Sequence, residues 1–157
     1  MRRFYKSILT AVLALVICVL PLCSFASPEV LPASYGGTVD YLINIKNPDT
    51  VTSTTSTRTY VLSAVGLPGT TVTLYSMGAD GQYYKMYADG VALESVIGAS
   101  GLYAQQITLL DGTNTILVRC ATDAGEEQGV HLYINLLGQG FLDKLKAFTV
   151  DITNTFN

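Results

Sequence analysis

The chain has 157 residues, of which 49% are hydrophobic and 13% charged, and a formal net charge of −3. Its first 26 residues hold three of the nine basic residues and none of the twelve acids, so the remainder carries six bases against twelve acids, a formal charge near −6. That balance excludes nucleic acid and anionic lipid surfaces as natural partners, because both reward clustered Lys and Arg.

The opening MRRFYKSILTAVLALVICVLPLCSFAS reads as a signal peptide over residues 1–26. Arg2, Arg3 and Lys6 form a positive start, and an apolar run follows from Ile8 to Leu22. Ser24 and Ala26 are small residues at the positions a signal peptidase reads, so cleavage is expected after Ala26. The apolar run is short for a span of roughly 20 residues, and Pro21 breaks a helix near its end, which disfavours an uncleaved anchor. Leu22 is too bulky before Cys23 for a lipoprotein site, and the surroundings of the arginine pair do not suit the twin-arginine route. Secretion or association with the cell envelope is the expected localisation. Cleavage removes Cys18 and Cys23 and leaves Cys120 alone, so no internal disulfide is expected and packing has to supply the stability. About 130 residues suffice for one domain with a real core.

Residues 27–38, SPEVLPASYGGT, are rich in Pro, Gly and Ser and read as a linker or loosely held arm. A domain is expected over residues 39–137. Val39, Tyr41, Ile43 and Ile45 alternate with Asp40, Asn44 and Lys46, the period of a half-buried strand, before Asn47-Pro48-Asp49 turns the chain. The Ser/Thr run after Val51 reads as a loop between strands and leads into TYVLSAV. Leu67-Pro68-Gly69 is a turn, and TTVTLYS resumes strand character. Asp80-Gly81 and Asp89-Gly90 flank QYYKMYA, and Asp-Gly suits the positive φ angles of a tight hairpin. Gly98–Gly101 and Asp111-Gly112 supply further turns, and VHLYINL, residues 130–136, is the last strand. Seven or eight short strands at spacings near ten residues predict an all-β, antiparallel sandwich. In residues 138–157, Phe141, Leu145, Phe148, Ile152 and Phe156 recur at spacings of three and four, one stripe of a short C-terminal amphipathic helix. Thr149, Val150, Ile152 and Thr153 are mediocre helix formers, so this tail needs its own domain or a partner to lie against, and self-association through it is one outcome.

No catalytic constellation emerges, and the expectation is of no enzyme, cofactor or metal. The single histidine, His131, alternates with the apolar residues of its strand and reads as a solvent-facing strand residue. Cys120 shares a strand face with Ile116 and Val118, the setting of a small buried hydrophobe; a reactive thiol needs exposure and positive charge, and Arg119 points to the other face. Asp80, Asp89 and Asp111 each precede Gly and are explained by turns. Asp123, Glu126 and Glu127 offer calcium oxygens without the spaced loop that would hold the ion. The candidate contact residues are Tyr83, Tyr84 and Tyr87 of the QYYKMYA hairpin and Phe141, Leu145, Phe148 and Ile152 of the tail. Tyrosines on a sheet face can stack on sugar rings, and they are equally ordinary strand formers.

Two stretches, GLPGTTVTLY and GASGLYAQQITLLDGTNTILVRCATDAG, resemble the bacterial immunoglobulin-like modules that accompany glucodextranase-like enzymes. The counterparts are Pro68, Gly69, Val72, Leu74, Gly101, Tyr103, Leu109, Gly112, Asn114, Ile116, Val118, Asp123 and Gly125. Gln105 and Cys120 depart from that pattern, where an apolar and a small residue are usual. The resemblance spans roughly residues 50–136 and implies an Ig-like sandwich without catalytic residues, a spacer or a binding unit whose partner is a cell-envelope protein or polysaccharide. Polysaccharide recognition by the tyrosines is the alternative function, and hydrolysis by an acid pair ranks last.

Overall fold

A computed structural model describes residues 27–138 together with residues 140, 141, 143 and 144. Residues 27–138 contain no helical residue. The strands are β1 (Val30–Leu31), β2 (Ile43–Asn47), β3 (Thr52–Thr55), β4 (Thr59–Gly66), β5 (Thr71–Met77), β6 (Tyr83–Lys85), β7 (Tyr87–Ala88), β8 (Val91–Ala92), β9 (Glu94–Val96), β10 (Leu102–Thr108), β11 (Gly112–Ala121) and β12 (Glu127–Leu136). They form a seven-stranded sheet in the order β1-β6-β5-β11-β12-β3, with β9 also on β5, a three-stranded sheet β10-β4-β2, and the hairpin β7-β8. All pairings are antiparallel except β12 with β3.

The two larger sheets contribute to one apolar cluster. Leu62 and Ala64 of β4, Ile43 of β2 and Tyr103 and Ile107 of β10 meet Val72 and Leu74 of β5, Ile116, Val118 and Cys120 of β11, and Leu132, Ile134 and Leu136 of β12. Each set comes from alternate positions of its strand, as a pleated backbone requires. The local turn chemistry agrees with the sequence. Asp89 and Gly90, at φ 51° and 79°, make the tight β7-β8 hairpin, and Gly81 and Gly112 take positive φ at their turns. Strands β10 and β11, consecutive across Asp111-Gly112, do not pair with each other: β10 lies on β4, whereas β11 lies between β5 and β12. That turn is a crossing from one sheet to the other.

Four expectations are corrected. Strand β2 begins only at Ile43, leaving Tyr41 54% exposed and Leu42 fully buried. The N–H groups of Thr38 and Val39 bond to the Glu127 carbonyl, so the chain is still on the seven-stranded sheet there and crosses over at 40–42, which interrupts the alternation. The Ser/Thr run is not merely a loop, because Thr52–Thr55 form the parallel edge strand β3 along Tyr133–Leu136; small polar residues suit an edge with one side in water. Strand β12 reaches back to Glu127.

The largest difference concerns residues 27–38. Rather than hanging loose, this arm lies on the second face of the seven-stranded sheet. Leu31 packs there with Tyr75, Tyr83 and Leu117, and Tyr35 packs beside them. Residues Val30 and Leu31 pair with Tyr84 and Tyr83, and Gly37 bridges to Gln128. This explains Leu117, which spoils the amphipathicity of its strand: both faces of β11 are covered, so Leu117 is as buried as Val118.

Candidate functional site

The three tyrosines of the hairpin do not form a common platform. Tyr83 is 1% exposed, its ring tilted against His131 with centroids 5.5 Å apart. It is a core residue and is withdrawn as a surface contact. Tyr84 alternates to the open side and donates to Asp80 Oδ2 at 2.6 Å, and Tyr87 donates to Glu29 Oε2 at 2.6 Å. These bonds hold the Glu29 and Asp80 carboxyls below their ordinary pKa and raise both phenols. Of the tail candidates, Phe141 is 51% exposed, and Leu145, Phe148 and Ile152 lie outside the described residues.

His131 is not solvent-facing. Its Nε2 lies 2.7 Å from the Tyr35 carbonyl, which can only accept, so Nε2 carries the proton and Nδ1 accepts from the Tyr83 hydroxyl at 2.7 Å. Arg119, on the same face, is 8% exposed. Its guanidinium pairs with Glu127 and donates to Tyr35 Oη at 3.1 Å and to Ser27 Oγ at 3.2 Å. Ser27 passes the chain on to Thr73 at 2.7 Å, and Thr73 donates to Glu94 at 3.0 Å. Burial by itself would lower the Arg119 pKa, but the Tyr35 oxygen and the Glu127 carboxylate raise it overall. Burial and the Glu127 bond together raise the Tyr35 phenol. Most of these bonds fasten residues 27–38, so this cluster is a clasp.

Glu127 is therefore committed to Arg119 and Tyr35, and Glu126 accepts from the exposed Tyr41 hydroxyl. Among the described residues no three His, Cys, Asp or Glu side chains stand where they could share a metal ion. Cys120 is fully buried in the main core, and burial pushes its thiol up to about 12, as its alternation with Arg119 suggested. Gln105 does occupy an inward register, between Tyr103 and Ile107, but is only half-buried and turns its amide to the Gln106 carbonyl at 3.0 Å.

The open feature lies elsewhere, where the two sheets part. Between β2 and the first half of β12 runs a slot of about 460 Å³, lined by Ile43, Ile45, Pro48, Val51, Val130 and Leu132, with Tyr41, Asp40, Asn44 and Asp49 at its mouth. That volume falls within the range of ordinary binding clefts. Strand β2 is the last strand of its sheet. The Gln128 side chain crosses the gap at one end, accepting from the Ile43 N–H at 2.9 Å and donating to the Ile43 carbonyl at 3.1 Å. One amide thus stands where one residue of a further strand would be. Tyr41 and Val51 are 54% and 55% exposed, while Ile45 and Val130, which touch the main core, are only half-buried. Sequence reasoning named none of Gln128, Val130 and Val51 as a contact residue, because which strands end as edges is decided by sheet order.

Comparison with protein-family models, with characterised proteins and with solved structures finds nothing that matches this chain.

Proposed function

We propose that this chain is a non-catalytic, exported binding module of the cell envelope, an Ig-like β-sandwich acting through protein contacts at the slot between β2 and β12. The observation that supports this reading most is the Gln128 side chain on Ile43: it satisfies one residue of β2's free edge and leaves the neighbouring edge beside half-covered apolar side chains. An unpaired strand edge above apolar pockets is the arrangement by which sheets take up extended peptides, backbone bonds giving affinity and alternate side chains giving selectivity. Polysaccharide recognition by a tyrosine platform has less support, since Tyr83 belongs to the core.

The test is fractionation of producing cells, with the mature N-terminus read by intact mass. Processing after Ala26 and retention on the envelope are expected for the native chain. Val51→Asp and Tyr41→Ala, both at half-exposed positions of the slot, should leave the protein folded and reduce retention at least tenfold. Equal retention of native and variant proteins would refute the slot as the contact region. Retention that survives protease treatment of the envelope and is lost on removing its glycans would point to polysaccharide instead.

A further inference from the structure

The slot has a free edge of defined direction. Leu67 N–H bonds to the Leu42 carbonyl at 2.9 Å, so the backbone groups of Leu42 face β4, and those of Ile43 face the other way, toward Gln128. Backbone groups two residues apart along a strand point to the same side. The N–H and C=O of Ile45 therefore face the slot, next to the Ile43 groups that Gln128 has taken. An incoming strand finds two backbone bonds at Ile45 and apolar seats at Ile45, Val130 and Leu132.

The chain itself contains a segment of that kind. Residues 148–156 read FTVDITNTF, with Phe148, Val150, Ile152 and Phe156 at even positions, the polar Asn154 interrupting that row, and Thr149, Asp151, Thr153 and Thr155 between them. Five of these nine residues are β-branched, which favours an extended backbone over the helix that a wider spacing suggested. Charge does not oppose it: Lys144 and Lys146 balance Asp143 and Asp151, so the tail brings no net negative charge toward Asp40 and Asp49 at the slot's mouth. Reach agrees as well. Leu137 N–H bonds to the Thr55 carbonyl at 2.8 Å, and Val51, on the slot wall, lies four residues before Thr55. Residues 140, 141, 143 and 144 are helical, so at about 1.5 Å for each residue of that turn and about 3.4 Å for each of the others the nine residues 139–147 span roughly 20 Å, still more than the roughly 13 Å of four strand residues.

We propose that residues 148–156 of the same molecule occupy this slot, adding a strand to the free edge of β2 at Ile45. The inference rests on the reading of the slot as a seat for an extended chain. A tether this short gives the segment an effective concentration in the millimolar range, so its own tail outcompetes a second copy at ordinary protein concentrations. An outside partner then enters by displacing the tail.

Amide hydrogen exchange on the full mature protein tests this. Amides of 148–156 and of Ile45 should exchange at least about 100-fold more slowly than an unstructured chain, in a molecule that sediments as a monomer. Ile152→Asp should return both groups of amides to fast exchange and leave those of β11 unchanged; Thr153→Pro, which removes a backbone donor without touching the domain, should act the same way. Fast exchange of 148–156 in the native chain overturns the proposal. So does a protected tail whose release leaves Ile45 unaltered, which places the tail elsewhere, and so does protection that appears only in dimers, which makes a second copy the donor. The envelope assay separates the two readings. Ile152→Asp should strengthen retention where Val51→Asp weakens it. If the tail exchanges fast and Val51→Asp still abolishes retention, the tail proposal alone fails. If Val51→Asp has no effect either, the slot is not a binding site.

Discussion

Replacing Leu31 by alanine tests whether residues 27–38 are part of the folded domain. Leu31 retains 7% of its exposure and is closed in by Tyr75, Tyr83 and Leu117. Truncation removes three carbons, or about 2 kcal/mol of transfer free energy at roughly 0.8 kcal/mol for each buried methylene. A cavity beneath the arm adds to this, although an arm held from one side can settle partly into the space, so a total of about 2 to 3 kcal/mol is expected, near the lower end for buried Leu→Ala changes. In a domain of this size that lowers the melting temperature by roughly 8 to 15 °C. The assay is urea and thermal unfolding of the protein, with Val30→Ala as the control: Val30 is the neighbouring residue, 40% exposed on the opposite side of the same short strand. The control should cost less than about 0.5 kcal/mol. Equal, small losses in the two variants would refute the arm's place in the core.

Three further outcomes follow from the same geometry. Arg119→Ala leaves Glu127 and Tyr35 without their buried partner and should cost about 3 to 5 kcal/mol, whereas Arg119→Met combined with Glu127→Gln should recover a good part of it; denaturant midpoints decide. Gly37→Ala places a Cβ 2.5 Å from the Glu127 carbonyl oxygen at φ 81°, so the arm must lift off β12 there, and protease digestion should cut within 27–38 while the rest of the domain persists; Gly69→Ala, also at positive φ but in open space, should show only a loss of about 1 kcal/mol. Stability should fall as pH rises above about 9. Cys120 and Tyr75 are each pushed up to about 12 by burial, so the unfolded chain loses these protons first and high pH draws the equilibrium toward it. Urea midpoints at pH 8, 10 and 11 measure the slope, and Cys120→Ala should flatten its first part; a thiol reagent at pH 8 should label Cys120 only after unfolding.

What the sequence disclosed was what short stretches decide by themselves. The Asp89-Gly90 hairpin, the positive φ of Gly81 and Gly112, the strand TTVTLYS and the inward side of Cys120 all depend on neighbours within a few residues. Tyr83 and His131 were misplaced for one shared reason. Alternation tells which residues share a face, and the solvent was assumed to lie on the face that residues 27–38 in fact cover. Pro, Gly and Ser in that arm signalled a break in regular structure correctly, but its anchors, Leu31 and Tyr35, are single residues with no period to announce them. Tyr41 and Leu42 changed sides because the chain moves between sheets at that point, an event that hydrophobic pattern does not encode. The slot was invisible for a related reason: an edge strand and an interior strand can have the same sequence.

The clasp on Arg119 also orders events in time. Ser27 and Tyr35 join residues some 84 to 96 positions further along the chain, namely Arg119, Glu127 and His131. Synthesis proceeds from the N-terminus, so the earliest part of the domain to be made waits for the latest before it can be held. Long loops of this kind must close against chain entropy before any contact rewards them, which slows folding. During that interval the apolar surface of Tyr75, Tyr83 and Leu117 has no cover. A short peptide with the sequence of residues 27–38, supplied while the protein refolds, would meet that surface first and delay closure.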